Sequence, residues 1–245
     1  IYIGSYEVSL KVFEFSAKKK IKEIDHVRSR LELGKDAYSK GSIGYELVEA
    51  LCERLGEFSD IMKSYRVDSY EAYAAAALRD VSNQIFILDQ IKIRTGLHVH
   101  VLSNSEHRFI SYKSVAMRDD FEKMVQQGSA VVDVGGGGLQ ITIFSKGNVI
   151  TTQHLALGTM KMRQQLAGKS NNLAQYELQI EELVTKELEV FRAMYLEEIE
   201  IRNLIIMGDY ISEVGERVGS NQGKNTIEVS KFVKYIEKLS KKNLE

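Results

Sequence analysis

An α/β fold in two similar halves is what this sequence predicts, and two observations predict it. Strand-like and helix-like segments alternate along the chain, the pattern of α/β architecture. In addition, residues 1–13, IYIGSYEVSLKVF, lie without a gap over residues 132–144, VDVGGGGLQITIF. Ile3 falls on Val134, Gly4 on Gly135, Val8 on Leu139, Leu10 on Ile141, Val12 on Ile143 and Phe13 on Phe144. Each stretch is a strand, a glycine turn and a strand, and each opens one half of the chain. There are two readings. One is a duplicated domain with a cleft between its halves. The other is a pair of β-hairpins that align only because both alternate.

The elements run in order along the chain. Val8, Leu10 and Val12 alternate within IYIGSYEVSLKVFEF and mark a strand. KKKIKEID (18–25) continues the sheet after a turn at Ser16–Lys18, its short basic run reading as a solvated hairpin turn. SIGYELVEALCERLGEFSDIMKSY (42–65) sets Leu47, Leu51, Leu55, Phe58, Ile61 and Met62 at helical spacing. Ser42 is its expected N-cap, with Glu46 close behind. Residues 71–96 begin as a small-residue strand or loop and become a helix that stops at Gly96. HVHVLS (98–103) reads as a buried strand, and 105–122 as a helix. Residues 131–158 read as two or three strands with a turn at Lys146–Gly147–Asn148. A long helix comes next over 171–198, carrying Leu173, Leu178, Ile180, Leu183, Leu188 and Phe191 on its apolar faces. A short strand at 202–208 and a helix over 229–240 close the order. There are no prolines, so glycine and polar clusters make the turns.

Composition bounds the function. The 245 residues suffice for one large domain or two smaller ones. An apolar fraction of 44% and a charged fraction of 27% belong to the soluble globular class. A net charge of −1 with no long basic block gives no argument for a nucleic-acid or membrane partner. The single cysteine, Cys52, excludes an intrachain disulfide framework, fits a reducing cytoplasm, and reads as packing on a helix face. No signal peptide and no apolar run near 18 residues is seen. Five scattered histidines and one cysteine do not make a zinc cluster. His98 and His100 alternate on one strand, where a His-x-His pair could bind a metal or could be ordinary surface or core histidines.

The glycine turn carries the chemical signal. Without Cβ atoms, backbone N–H groups can converge on one point, and converging N–H groups form a nest for an anion such as phosphate. The adjacent carboxylate, Asp133, can hold Mg²⁺ or orient a water beside that phosphate. The plainer alternative is an ordinary glycine-rich hairpin loop.

Six segments, in order, resemble the Ppx/GppA family of exopolyphosphatases and guanosine pentaphosphate phosphohydrolases. DVGGGGLQITIF is similar to the family's DIGGGSTELV motif, and IYIGSYEVSLKVFE to IDIGSNSxRLVV. RSRLELGKDAYSKGSIGYELVEAL, AAAALRDVSN, VLSNSEHRFISYKSV and LALGTMKM resemble four further family stretches. The resemblance implies two lobes of the actin-like ATPase (ribonuclease H-like) type with a cleft between them, and so favours duplication. It implies an N-terminal lobe over 1–122 and a second over 123–245, the latter short of the family's C-terminal end. It implies hydrolysis of a terminal phosphate from polyphosphate or a guanosine polyphosphate with Mg²⁺, in the cytoplasm, and a possible homodimer.

By the same resemblance, Glu106 is the base or water-orienting residue and Asp133 serves the metal. Gly135, Gly136 and Gly137 form one phosphate loop, Gly4 and Ser5 the other, and Arg79 lies beside the cleft. The departures fall on the chemistry. Tyr2 replaces the family's first aspartate, and Tyr6 and Glu7 replace an asparagine and a serine. Gly138, Leu139 and Gln140 replace Ser-Thr-Glu, Ala75 and Ala76 a Thr-Ser pair, and Asp209 and Tyr210 part of a Gly-Gly-Thr loop. Phosphate donors and metal carboxylates are lost together. The expectation is a phosphohydrolase whose activity is reduced or lost, the alternative being a non-catalytic phosphate- or nucleotide-binding regulator.

Overall fold

The computed structural model describes residues 1–16, 21–118, 120–167, 173–208, 211–218 and 226–242. These form a mixed α/β chain with two sheets. Contacts divide it into two compact units. The first holds Ile1–Glu122, Gly135–Leu139 and Leu155–Gln165, and the second Lys123–Val134, Gln140–His154 and Leu166–Glu245. The glycine turn of the second hairpin therefore packs within the first unit.

In the first unit β1 (Tyr2–Ile3), β2 (Glu7–Phe15), β3 (Ile21–Arg30), β4 (Tyr73–Ala74) and β5 (His100–Val101) form one sheet in the order β3-β2-β1-β4-β5. β1 runs antiparallel to β2 and parallel to β4. The period-2 residues Val8, Leu10 and Val12 are buried on one face of β2, while its distal end is exposed. That face joins a cluster with Leu51, Leu55 and Phe58 of α2 (Tyr45–Ser64) and Ile87 and Ile91 of α4 (Gln84–Thr95). Cys52 is buried in the same cluster, and burial pushes its thiol pKa up, so it packs as a small apolar side chain.

The second unit's sheet runs β8-β7-β6-β9, from β6 (Ser129–Val134), β7 (Leu139–Ser145), β8 (Asn148–Leu155) and β9 (Asn203–Gly208). β6 and β9 are parallel. The turn between β7 and β8 has positive φ at Lys146 (51°) and Gly147 (78°), the backbone pattern that suits a right-twisted hairpin. In both sheets, then, the opening strand of a hairpin sits between its hairpin partner and a later parallel strand. This shared order supports the duplicated reading of the two hairpins.

Several expectations need correction. Ser42 does not cap α2; the N-cap is Gly44, whose N–H donates instead to Asp36 Oδ2 at 2.9 Å. The preceding stretch is itself a short helix, α1 (Leu33–Lys40). HVHVLS forms only a two-residue strand, and the His100 side chain is 57% exposed. The single helix expected over 105–122 is α5 (Asn104–Ala116) followed by α6 (Phe121–Gln126). The helices α3 (Ala76–Arg79), α7 (Thr159–Leu166) and α9 (Ile211–Val218) lacked a long enough apolar period to be read. The long helix is α8 (Leu173–Tyr195), on which Phe191 is buried but Leu178 is 63% exposed. The final helix is α10 (Val229–Lys242). Gly96 does end α4, in the left-handed conformation (φ 73°), with its N–H on the Lys92 carbonyl. Lys18 in the expected turn, and Asp209 and Tyr210, lie outside the described residues.

Candidate functional site: two glycine turns in the first unit

The turn between β1 and β2 is pinned from both sides. Gly4 N–H donates to the Glu7 carbonyl at 2.9 Å, which closes the hairpin. The Ser5 carbonyl accepts from Gly34 N–H at 2.8 Å, and the Tyr6 carbonyl from Leu31 and Glu32. These bonds tie the turn to the start of α1. Glu7 does not present a bare charge, because Arg28 Nε donates to it at 2.8 Å across the β2–β3 ladder. Arg30 lies over the Tyr6 ring, 4.7 Å from its centroid.

The glycine-rich turn is pinned by α7. Gly135 N–H donates to the Gly138 carbonyl at 3.0 Å. The carbonyls of Gly135 and Gly136 accept from the N–H groups of Thr159, Met160 and Lys161. The first-turn amides of α7, which at other helices can bind an anion, are here engaged by the turn itself. A Cβ on Gly158 would lie 2.2 Å from the Gly137 carbonyl carbon and 2.3 Å from the Gly136 oxygen. Only a residue without a side chain lets the chain before α7 approach so closely.

The two turns meet. A Cβ on Gly136 would lie 2.7 Å from Ser5 Cβ. One on Gly137 would lie 2.7 Å from Ala76 Cβ and 2.4 Å from the Tyr38 hydroxyl. Ser5 is 5% exposed, and its Oγ is 2.6 Å from the Tyr38 hydroxyl. Among the described residues, no acceptor takes the N–H groups of Ser5, Gly136 or Gly137. Buried backbone donors are nearly always paired, and both Ser5 and Gly136 are buried residues.

The remaining expected site residues have structural partners. Glu106 sits at the third position of α5 and forms a capping box with Ser103. Its Oε2 accepts from Ser103 N–H at 2.8 Å, and its Oε1 is 2.9 Å from His100 Nε2. The Ser103 N–H, the Ser103 side chain and His100 together hold the Glu106 carboxyl down to about 2. A group that acidic is a weak base near neutral pH. Arg79 donates through Nε to Asp80 at 2.9 Å and through Nη1 to the Leu102 carbonyl at 3.2 Å. Asp133 stands on β6 in the second unit, opposite Met207 of β9. Tyr2, at the position of a family carboxylate, hydrogen-bonds His107 Nε2 through its hydroxyl at 3.3 Å.

Mg²⁺ is commonly held by one or two carboxylates together with substrate phosphates, and the resemblance assigns Asp133 to it. The ion wants hard, anionic oxygen ligands, yet Tyr2 is a phenol bonded to a histidine and Glu106 is committed to a helix cap. Among the described residues no group of three His, Cys, Asp or Glu side chains could hold a metal. Nor, among them, is any helix long and apolar enough to cross a membrane.

Sequence reasoning missed Tyr38 and the structural part of Gly34. Their four-residue spacing puts both on one face of α1, and a Cβ on Gly34 would be 2.7 Å from Tyr38 Cε2. The bare helix face under the aromatic ring was the available signal.

The profile described as the Ppx/GppA phosphatase family matches residues 12–245. No curated protein matches the chain. Among solved structures, a Ppx/GppA family member from Aquifex aeolicus is similar with a TM-score of 0.65 and 19% identity, covering 94% of this chain and 71% of its own. An exopolyphosphatase from Cytophaga hutchinsonii is similar with a TM-score of 0.73 and 17% identity, covering 97% of this chain and 78% of its own. The fold likeness extends to a PilM–PilN type IV pilus biogenesis complex, at a TM-score of 0.52 and 12% identity over 84% of this chain and 80% of that one.

Proposed function

The chain belongs to the Ppx/GppA phosphatase family, and from that premise we propose that it binds the phosphate groups of polyphosphate or a guanosine polyphosphate at its paired turns and hydrolyses them slowly or not at all. One observation carries the phosphate reading. The N–H groups of Ser5, Gly136 and Gly137 lie where the two turns touch and have no acceptor among the described residues. An anion with several oxygens satisfies such a cluster at once.

The reading of weak hydrolysis has a different support. Phosphoryl transfer depends on charge neutralisation and on a positioned nucleophilic water. Here the resemblance's first metal carboxylate is Tyr2, bonded to His107, and the water-orienting candidate Glu106 is a capping residue held near 2. Glu106 stays ionised through the neutral range, so it can accept a hydrogen bond from water but takes a proton poorly. The alternative, a non-catalytic regulator on the same scaffold, is favoured by those same two contacts. A cytoplasmic setting accords with the lone buried thiol of Cys52.

Phosphate release from polyphosphate and pppGpp with Mg²⁺, beside tripolyphosphate binding by calorimetry, tests the proposal. Glu106→Gln is the control, because glutamine preserves the capping box. Binding with little or no release supports the reading. Brisk release that vanishes in Glu106→Gln makes the chain an ordinary member of its family. Neither binding nor release removes phosphate as the ligand.

A further inference from the structure

We propose that Tyr38 is an internal occupant of the paired turns, its hydroxyl standing where a phosphate oxygen would bind, so that the site admits phosphate only when the phenol leaves. This rests on the reading of the turns as a phosphate site. The hydroxyl is 2.6 Å from Ser5 Oγ, inside the range of a good hydrogen bond between oxygens. It also lies so near Gly137 that a Cβ there would be 2.4 Å from it. One oxygen atom thus touches both turns, at the point where their N–H groups have no acceptor among the described residues. Ser5 is buried, so its hydroxyl meets the phenol and not bulk water.

The seat of the phenol is built into α1. Gly34 leaves room for the ring, since any Cβ there would strike Tyr38 Cε2. Asp36, in the middle of this short helix, ties it to the start of α2 through Gly44 N–H. Burial acts to raise the Asp36 carboxyl, but hydrogen bonds from Lys40 and from Gly44 N–H outweigh it and keep the pKa below its ordinary value. Tyr38 itself is only half-buried, so its ring borders solvent on the side toward which it would swing when phosphate enters. A tyrosine hydroxyl can offer one donor and its lone pairs, whereas a terminal phosphate offers several anionic oxygens. The tyrosine is therefore a weak competitor, and it raises the threshold for phosphate without abolishing binding.

Calorimetry with sodium tripolyphosphate on the whole chain and its variants tests this, with circular-dichroism melts to check folding. Tyr38→Ala should bind about tenfold more tightly than the wild type, the scale of one hydrogen bond plus a displaced ring. Tyr38→Phe keeps the ring and frees the Ser5 hydroxyl, and should gain about threefold. Adding Ser5→Ala to Tyr38→Ala should reverse most of the gain. If Tyr38→Ala is poorly folded, Tyr38→Phe decides. Wild-type binding that Tyr38→Ala and Tyr38→Phe leave unchanged or weaken overturns the inference while the phosphate reading stands. No binding by any of the proteins overturns the phosphate reading, and this inference with it.

Discussion

Between β1 and β2 the turn carries one glycine followed by Ser5, Tyr6 and Glu7, and those side chains are engaged by Tyr38, Arg30 and Arg28. Between β6 and β7 the turn has four glycines and no side chain at all. The hairpins nonetheless occupy equivalent places in their sheets, each opening strand lying between its hairpin partner and a parallel strand. Backbone topology has been kept, and the two turns have been finished in opposite ways. The first is filled by side-chain partners. Other chain segments press on the second: Ser5 against Gly136, Ala76 and Tyr38 against Gly137, and Gly158 against the backbone of all three of Gly136, Gly137 and Gly138. Gly136 and Gly137 are needed for packing, whatever ligand the turn holds.

This contrast can be broken by adding methyl groups. Gly158→Ala places a Cβ 2.2–2.4 Å from three backbone atoms of the glycine turn, none of which can swing away. It should destabilise the first unit by about 3 kcal/mol or more, a melting shift of about 10 °C. Gly136→Ala clashes with Ser5 Cβ at 2.7 Å and otherwise makes ordinary contact with Ser5 Oγ and Met160 Cγ, and should cost about 2 kcal/mol. Gly4→Ala, in the first turn, meets the Glu7 carbonyl at 3.1 Å and the movable Tyr2 ring at 3.2 Å. It should cost about 1 kcal/mol. Thermal melts of the three variants check the order. If Gly4→Ala proves as damaging as Gly158→Ala, the two turns are equally packed and the contrast fails.

The helix cap at α5 gives a smaller effect of the same kind. Ser103→Ala removes the acceptor for Glu106 N–H and should cost about 1 kcal/mol at pH 7. The pH dependence has a definite sign. Glu106 is held at about 2 when folded, below its ordinary 4.5. Its stabilisation is therefore fully present above pH 4.5 and is lost as pH falls toward 2. Glu106→Gln cannot titrate, so its melting temperature should lie below the wild type's at neutral pH and converge with it across that interval. A gap that stays constant down to pH 2 would remove the cap from the account.

Much of the fold was legible in the sequence because its signals are local. Period-2 burial of Val8, Leu10 and Val12, the Lys146–Gly147 turn and the Gly96 stop each need only a few neighbouring residues. The short helices α1, α3 and α7 were not, since their burial is decided by tertiary partners and not by a repeating apolar face. The site was legible in its glycines and in the substitution Tyr2, where a carboxylate is missing from the motif. It was not legible in Tyr38, whose hydroxyl reaches Ser5 across 33 positions of sequence. Nor was the engagement of Glu7 with Arg28, which depends on the β2–β3 register. The motif marks Glu106 as a base or water-orienting residue, while the structure adds a cap that competes for the same carboxylate.

The central claim is that the phosphate-binding half of the family's chemistry persists while its hydrolytic half has weakened. Steady-state phosphate release from polyphosphate with saturating Mg²⁺ measures it most directly, on the wild type and on Tyr2→Asp/Gln140→Glu. Wild-type turnover should lie well below about 1 s⁻¹, the lower end of ordinary enzymes, and should rise at least about tenfold in the double variant, which restores two carboxylates where a single charge-stabilising contact can be worth about a hundredfold or more. Wild-type turnover near about 10 s⁻¹, a middling value for enzymes, with no gain in the double variant, would contradict it.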